Sequence, residues 1–279
     1  MSGKYYRHSG KFSLIGALSS LLVGLAGAFV LSWIYGYVMD WNPFVYVSLI
    51  AVVVYGFLLG GCVAVGLQMG KVRNTPVALL LTLVVALAGI YGGWVTWLLA
   101  LNDGQALYYK PADILAVAQT LAENGVWSIF GNTPTASALH GFWLMEAFTI
   151  LICALAACYF FMTGNAFCET CRRWLEPGET LGVFQVPASY QELKQGLELD
   201  RLEVLERLAP SPEGAAVFAE LSAESCSQCK TLHLLTLRET TRAEDSEGKT
   251  SETSRAIFDR LVVGKGTLER IARQAALKG

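Results

Sequence analysis

The chain has 279 residues, with 21 Lys and Arg against 23 Asp and Glu, and 53% of its residues are hydrophobic. A formal charge of −2 does not suggest a nucleic-acid-binding surface, which wants a basic excess, and the length leaves room for two domains of ordinary size. Charge is unevenly spread, because only six of the basic and five of the acidic residues precede position 164.

Four apolar segments, about 13–38, 45–69, 77–101 and 136–163, account for this unevenness. Each is as long as the roughly 20 residues a helix needs to cross a bilayer core. Spanning segments must be helical unless they close a barrel, so 1–163 is read as an all-α four-helix transmembrane domain. The first segment is too long for a signal-peptide core and is read as a retained helix. Lys4, Arg7 and Lys11 precede it, Lys71 and Arg73 fill the second connection, and Arg172 and Arg173 follow the fourth span. Basic segments stay on the cytoplasmic side, so both termini are expected inside. The expected location is a bacterial inner (plasma) membrane. Trp33, Tyr35, Tyr37, Trp41, Phe44 and Tyr46 crowd the first outer turn, as an interfacial aromatic belt does.

Small residues recur every fourth position in the first span: Gly16, Ser20, Gly24, Ala28, Ser32 and Gly36. Gly56, Gly60 and Ala64 do so in the second, and Ala88, Gly92, Thr96 and Ala100 in the third, with Gly89 and Gly93 beside them. Such rows let helix backbones approach closely. Packing within the bundle is the leading reading, and self-association through one of these faces is the next.

Between the third and fourth spans, 111–124 predicts a short amphipathic helix from Pro111 to a stop at Gly125. Ile114, Val117, Ala118 and Leu121 share its apolar face, for the outer membrane surface or for capping the bundle. Trp127 and Phe130 follow at the interface. "NTPTASALHGFWLMEAF" then predicts a helix beginning at Pro134 with Thr133 as its cap. Glu146 is the one carboxylate within the predicted spans, and His140 lies near the start of the same segment. A carboxylate in hydrocarbon must be paired, protonated or wet, which marks an intramembrane polar site. A hydrogen bond to a neighbouring helix is the leading role, and an ion or proton pathway the alternative. His140 and Glu146, six positions apart, do not share a helix face.

The remainder, 164–279, reads as a soluble α+β domain. Three of the seven cysteines, Cys62, Cys153 and Cys158, fall in predicted spans and act as small apolar residues. The other four form Cys168-x2-Cys171 and Cys226-x2-Cys229. On a cytoplasmic side structural disulfides are disfavoured, whereas two such turns deliver four thiolates to one tetrahedral ion. These pairs resemble the zinc-ribbon class of cysteine knuckles, which implies one structural Zn²⁺ per chain. The resemblance covers the pairs and their flanking strands within 165–265. It departs from the compact pattern, since 54 residues separate the pairs, where about 15–20 is usual. Thiolate ligation does not by itself exclude iron, and a CxxC pair also suits thiol redox chemistry. Arg172, Arg173 and Lys230 flank the pairs. They offset part of a doubly negative metal centre, or the arginines sit at lipid headgroups.

A helical insertion, 189–208, fills the space between the pairs. It opens on Ser189 and Glu192 as a capping box and carries Leu193, Leu197, Leu202, Leu205 and Leu208, with a split near Gly196. Strands are predicted at 179–186, 215–224, 231–241 and 253–263, with a turn at 245–250 and a last helix from Thr267. His233 reads as an ordinary sheet side chain that could otherwise support a ligand, and His8 lies in the tail. No GxxxxGK[ST], GxGxxG, GxSxG or HExxH occurs, so no enzyme is expected. The expectation is a membrane-anchored, zinc-stabilised interaction or scaffolding domain. Its partners would be the lipid bilayer and a protein or a second copy, not nucleic acid. A channel or transporter using Glu146 and a thiol-redox protein are the alternatives.

Overall fold

The computed structural model describes residues 5–278 except 43, 129–130, 200, 202, 213 and 245–249. Phe130, Leu202 and most of the expected turn at 245–250 therefore lie outside the described residues, as do the side chains of Leu197 and Leu205. The chain divides into two compact units. One is helical, Ser9–Gly164. The other joins Asn165 onward to the short N-terminal segment Tyr5–His8. A sequence boundary at 163/164 assigned that segment to the helical part, but its hydrogen bonds run to the other unit.

The helical unit contains α1 (Leu14–Trp41), α2 (Val45–Met69), α3 (Thr75–Leu101), α4 (Pro111–Asn124) and α5 (Ala136–Thr163). All but α4 are long and apolar enough to cross a membrane. Side-chain caps start two of them: Ser13 accepts from the Gly16 N–H at 2.9 Å and Asn74 from the Val77 N–H at 3.0 Å, satisfying amides that have no partner within the helix. α5 begins at Ala136 with Thr135 as its cap residue, two positions later than the sequence suggested. Thr133 instead bonds Ser128 across the preceding loop, 2.8 Å between hydroxyl oxygens.

α1 and α5 stand at opposite corners, each packed against both α2 and α3. The whole row Gly16, Ser20, Gly24, Ala28, Ser32, Gly36 is buried, so packing within the bundle consumes it. In α3 the buried seam runs through Ala86, Gly89, Gly93, Thr96 and Ala100, and Gly92 is half-buried beside it, where an added Cβ would lie 2.6 Å from Ser32 Oγ of α1. Outward, the same helices are apolar too: Leu22, Phe29, Ile50, Leu80, Phe148 and Ile152 are 61–68% exposed. A helix apolar on all sides belongs inside a large core or in lipid. α4 buries Ile114 and Ala122 and packs on α5.

The second unit holds a hairpin of β1 (Phe167–Cys168) and β2 (Arg173–Trp174) and an antiparallel sheet of β3 (Glu179–Phe184), β4 (Val217–Ser225), β5 (His233–Glu244) and β6 (Thr250–Val263), in that order. α6 (Tyr190–Glu198) and α7 (Glu203–Glu206) lie between β3 and β4, and α8 (Lys265–Lys278) ends the chain. Ser189 caps α6, accepting from the Glu192 N–H at 3.3 Å. Gly196 is inside α6 rather than at the break. A Cβ there would lie 2.6 Å from the Val204 side chain, so this glycine serves close packing of α7, not interruption.

Alternation places Leu235 and Leu237 of β5 on the core face with Phe184, Leu193, Leu221, Phe258 and Ile271. Leu234 points the other way, into a smaller cluster around the cysteines. A β-bulge interrupts β5–β6 pairing between Leu235 and Leu237. There Arg260 takes a left-handed backbone, φ 51°. Thr236 stitches the bulge, its hydroxyl accepting from the Arg260 N–H at 3.0 Å and donating to Asp259 at 3.1 Å.

Candidate metal centre

The first cysteine pair sits on the tight turn of the β1–β2 hairpin and the second on the turn that joins β4 to β5. Cys168 closes β1 and faces Arg173 of β2 in the ladder. Cys226 follows β4, its N–H donating to the Leu232 carbonyl at 3.0 Å, and the Lys230 N–H returns to the Cys226 carbonyl at 3.0 Å. The two turns share one backbone device. The residue directly after the second cysteine, Arg172 in one and Lys230 in the other, has φ of 52°. Left-handed backbone at that point curls the chain back, so amides point at sulfur rather than away from it.

The turns bring Cys168, Cys171, Cys226 and Cys229 together, with all four sulfurs within 4.8 Å of one another. Cys168 Sγ and Cys229 Sγ, from different pairs, are 3.5 Å apart. Four sulfurs around a tetrahedral zinc at 2.3 Å stand roughly 3.8 Å apart, so the cluster fits a single ion of that size and donor preference. The first cysteine of each pair is buried and the second is half-buried. Ala166, Leu175, Leu232, Leu234 and Tyr6 form the apolar wall.

The sulfurs are not electrostatically alike. The Thr231 hydroxyl, 3.0 Å away, and the Thr231 N–H hold the Cys229 thiol down to about 6. Burial pushes Cys226 up, but the N–H groups of Cys229 and Gln228 outweigh it, and its thiol falls below the ordinary value. Cys168 is raised, by burial first, and Cys171 is raised to about 12 by burial and by the neighbouring thiols. Donors thus already favour thiolate on the second pair, the form that ligates metal.

What Arg172 and Lys230 supply is backbone geometry, and both side chains are exposed. Arg173 reaches toward Glu176, 4.0 Å away, and Glu176 also accepts from the Ser227 hydroxyl at 3.4 Å, linking the two turns. His233 is not a ligand. Its Nδ1 lies 2.8 Å from Ser225 Oγ and its Nε2 2.9 Å from the Lys230 carbonyl. Since a carbonyl only accepts, Nε2 carries the proton and the ring ties β4 to the second turn.

Sequence reasoning missed the part played by the N-terminus. Tyr6 Oη accepts from the Phe167 N–H at 2.7 Å and lies 3.3 Å from the Phe167 carbonyl, one residue before Cys168. His8 stands edge-on to Trp174, which stands edge-on to Phe167, with centroids 5.9 and 4.9 Å apart. The available signal was the aromatic content of "YYRH" in a tail otherwise read only for charge.

Within the helical unit, Tyr35 of α1 donates to Glu146 of α5 at 2.6 Å, spanning opposite corners. Tyr35 stacks on Tyr55, centroids 4.2 Å apart. The Tyr55 hydroxyl donates to the Gly89 carbonyl at 2.7 Å, and Ser32 Oγ lies 2.9 Å from it. His140 does not join this group. It is exposed, its Nδ1 2.8 Å from the Ala136 carbonyl and its ring edge-on to Trp143.

Comparison with known protein families, curated proteins and solved structures found no match for this chain. The geometry therefore carries the functional reading.

Proposed function

We propose that this chain is an integral membrane protein whose four long helices anchor a zinc-stabilised α+β domain at the cytoplasmic face of a plasma membrane, where that domain acts as an interaction or scaffolding module. The observation that carries the metal reading is the convergence of two cysteine pairs, 54 residues apart in sequence, to within 4.8 Å. The zinc-ribbon likeness of the paired turns supports zinc over iron. Four thiolates saturate a tetrahedral ion and leave no position for a substrate, so the ion's role is to hold the fold. The apolar outer surface of the helical unit and the basic residues at 4–11, 71–73 and 172–173 support membrane insertion with both termini inside. A protein partner or a second copy, rather than a small molecule, is the expected ligand of the domain.

The test is elemental analysis of the purified chain beside Cys168→Ser and Cys226→Ser. About one zinc per chain, lost in either variant, is the expected result. Iron in its place would turn the reading to electron transfer. No metal, with rapid alkylation of one cysteine, would replace it with thiol redox chemistry. Orientation is checked separately by reporter fusions at residues 104 and 279, expected outside and inside.

A further inference from the structure

We propose that Tyr5–His8 is a strap that positions the first cysteine pair for the metal, with Tyr6 as the positioning residue, and that metal occupancy in turn holds the strap in place. This rests on the metal reading above. The second pair is built into the main sheet, at the turn that joins β4 to β5. The first is not. Its hairpin has two residues in each strand, far below what stands alone in water, and the chain between the pairs is long. Something must fix Phe167–Cys168 relative to the sheet before an ion can join the halves, because an unrestrained pair must be ordered at the moment of binding.

The strap is bonded on both sides. Toward the sheet, Tyr5 forms an antiparallel bridge with Leu261, and the Tyr6 N–H donates to the Arg260 carbonyl at 2.9 Å. Arg260 is the left-handed residue of the stitched β5–β6 bulge, so the bulge sets the edge on which the strap docks. Arg260 is itself held by its Nε, which donates to Glu224 at 3.2 Å in a largely buried pair. Toward the cysteines, the Tyr6 side chain crosses to the Phe167 backbone and forms part of the apolar wall around the four sulfurs. His8 braces Trp174, which pairs with Phe167 across the hairpin. One residue thus spans from the edge of β6 to the residue before a ligand. Coupling of this kind is reciprocal. If the strap aids the ion, the ion stabilises the strap, and the strap leads within six residues into α1.

The experiment uses the full chain in detergent and reads zinc affinity by competition with a chromogenic chelator. Supporting groups around metal ligands are worth about 10–100-fold in affinity. Tyr6→Phe, which keeps the ring and removes only the hydroxyl, should bind zinc about tenfold more weakly, and Tyr6→Ala nearer a hundredfold. Tyr190→Phe, which removes a hydroxyl bonded to Glu239 elsewhere on the domain, should match the parent. In the parent, stripping zinc should speed trypsin cleavage after Arg7, and in Tyr6→Ala that cleavage should be fast with or without zinc. A parent that binds one zinc while both Tyr6 variants bind it equally tightly overturns the strap alone. Cleavage indifferent to zinc overturns it as well. A parent that binds no zinc removes the metal reading and the strap with it.

Discussion

In the helical unit, backbones meet. Gly16 lies against Gly70, Gly60 against the Ala154 backbone and Gly66 against Ser20, and a Cβ added at any of them would strike main-chain atoms. In the cysteine-bearing unit, side chains meet: Phe184, Leu221, Leu237 and Phe258 fill one face of the sheet, and a separate cluster gathers around four sulfurs. The contrast follows from the composition of each unit. Helices that are apolar on every side gain little by hiding from lipid, so their association depends on close contact and a few hydrogen bonds. A small sheet with one apolar face gains from burial, and its second cluster, gathered around four sulfurs, is what a metal would staple in the proposed function.

The sharpest way to break this comparison is to remove the staple. Chelation, or Cys226→Ser, should unfold the second unit and leave the helices intact. Structural zinc contributes an apparent 10–16 kcal/mol or so in small metallodomains, more than a domain of this size holds in reserve. Proteolysis confined to that unit, the segment up to His8 and the region after residue 165, with helical circular dichroism retained, is the expected pattern. A second unit that resists protease after chelation would mean that its two clusters suffice without metal.

The next largest effect tests the seam. Gly60→Leu should cost about 3 kcal/mol or more, because overpacking against backbone cannot be relieved by a rotamer change. Gly61 is its control, since a Cβ there meets only Phe161 at 3.9 Å. Gly61→Ala should be neutral or slightly stabilising. Thermal denaturation in detergent compares the two, and equal effects would show that the seam is not close-packed.

Tyr35→Phe removes the donor to Glu146 and should cost about 1 kcal/mol, since interhelical hydrogen bonds in membranes average near 0.6 and reach about 1.7. Retention of that loss in Glu146→Leu, with no further loss in the double variant, would identify the two groups as one pair. Additive losses would separate them. The smallest effect falls on the turns. Lys230→Gly relieves a left-handed backbone at the expense of unfolded-chain entropy and should stabilise by less than about 1 kcal/mol. Lys230→Val should destabilise, and a valine variant as stable as the parent would remove the shared-turn description.

Much of this was legible because it is local. The apolar segment at 45–69 and the amphipathic helix at 111–124 match α2 and α4, since hydropathy and stop signals act over single elements. Strand positions followed from alternation, and the sulfur cluster from two CxxC pairs that each specify a tight turn. In α3, Thr96 and Ala100 of the expected row and Gly89 and Gly93 beside it are buried, Gly92 meets Ser32, and Ala88 is half-buried. The two short helices expected within 189–208 are α6 and α7, with the break after Glu198 and Gly196 itself serving contact with Val204.

The sequence by itself determined which segments are apolar throughout, which alternate, and where thiols come in pairs. Those properties belong to neighbouring residues and need no knowledge of the rest of the chain. Only the tertiary structure decided that Tyr35 meets Glu146 across the bundle, that the bulge at Arg260 forms a docking edge, and that Tyr6 reaches Phe167, 161 positions away. Such pairings depend on which distant surfaces fit once the elements have formed. An aromatic tail looks the same in sequence whether or not a sheet edge is there to receive it.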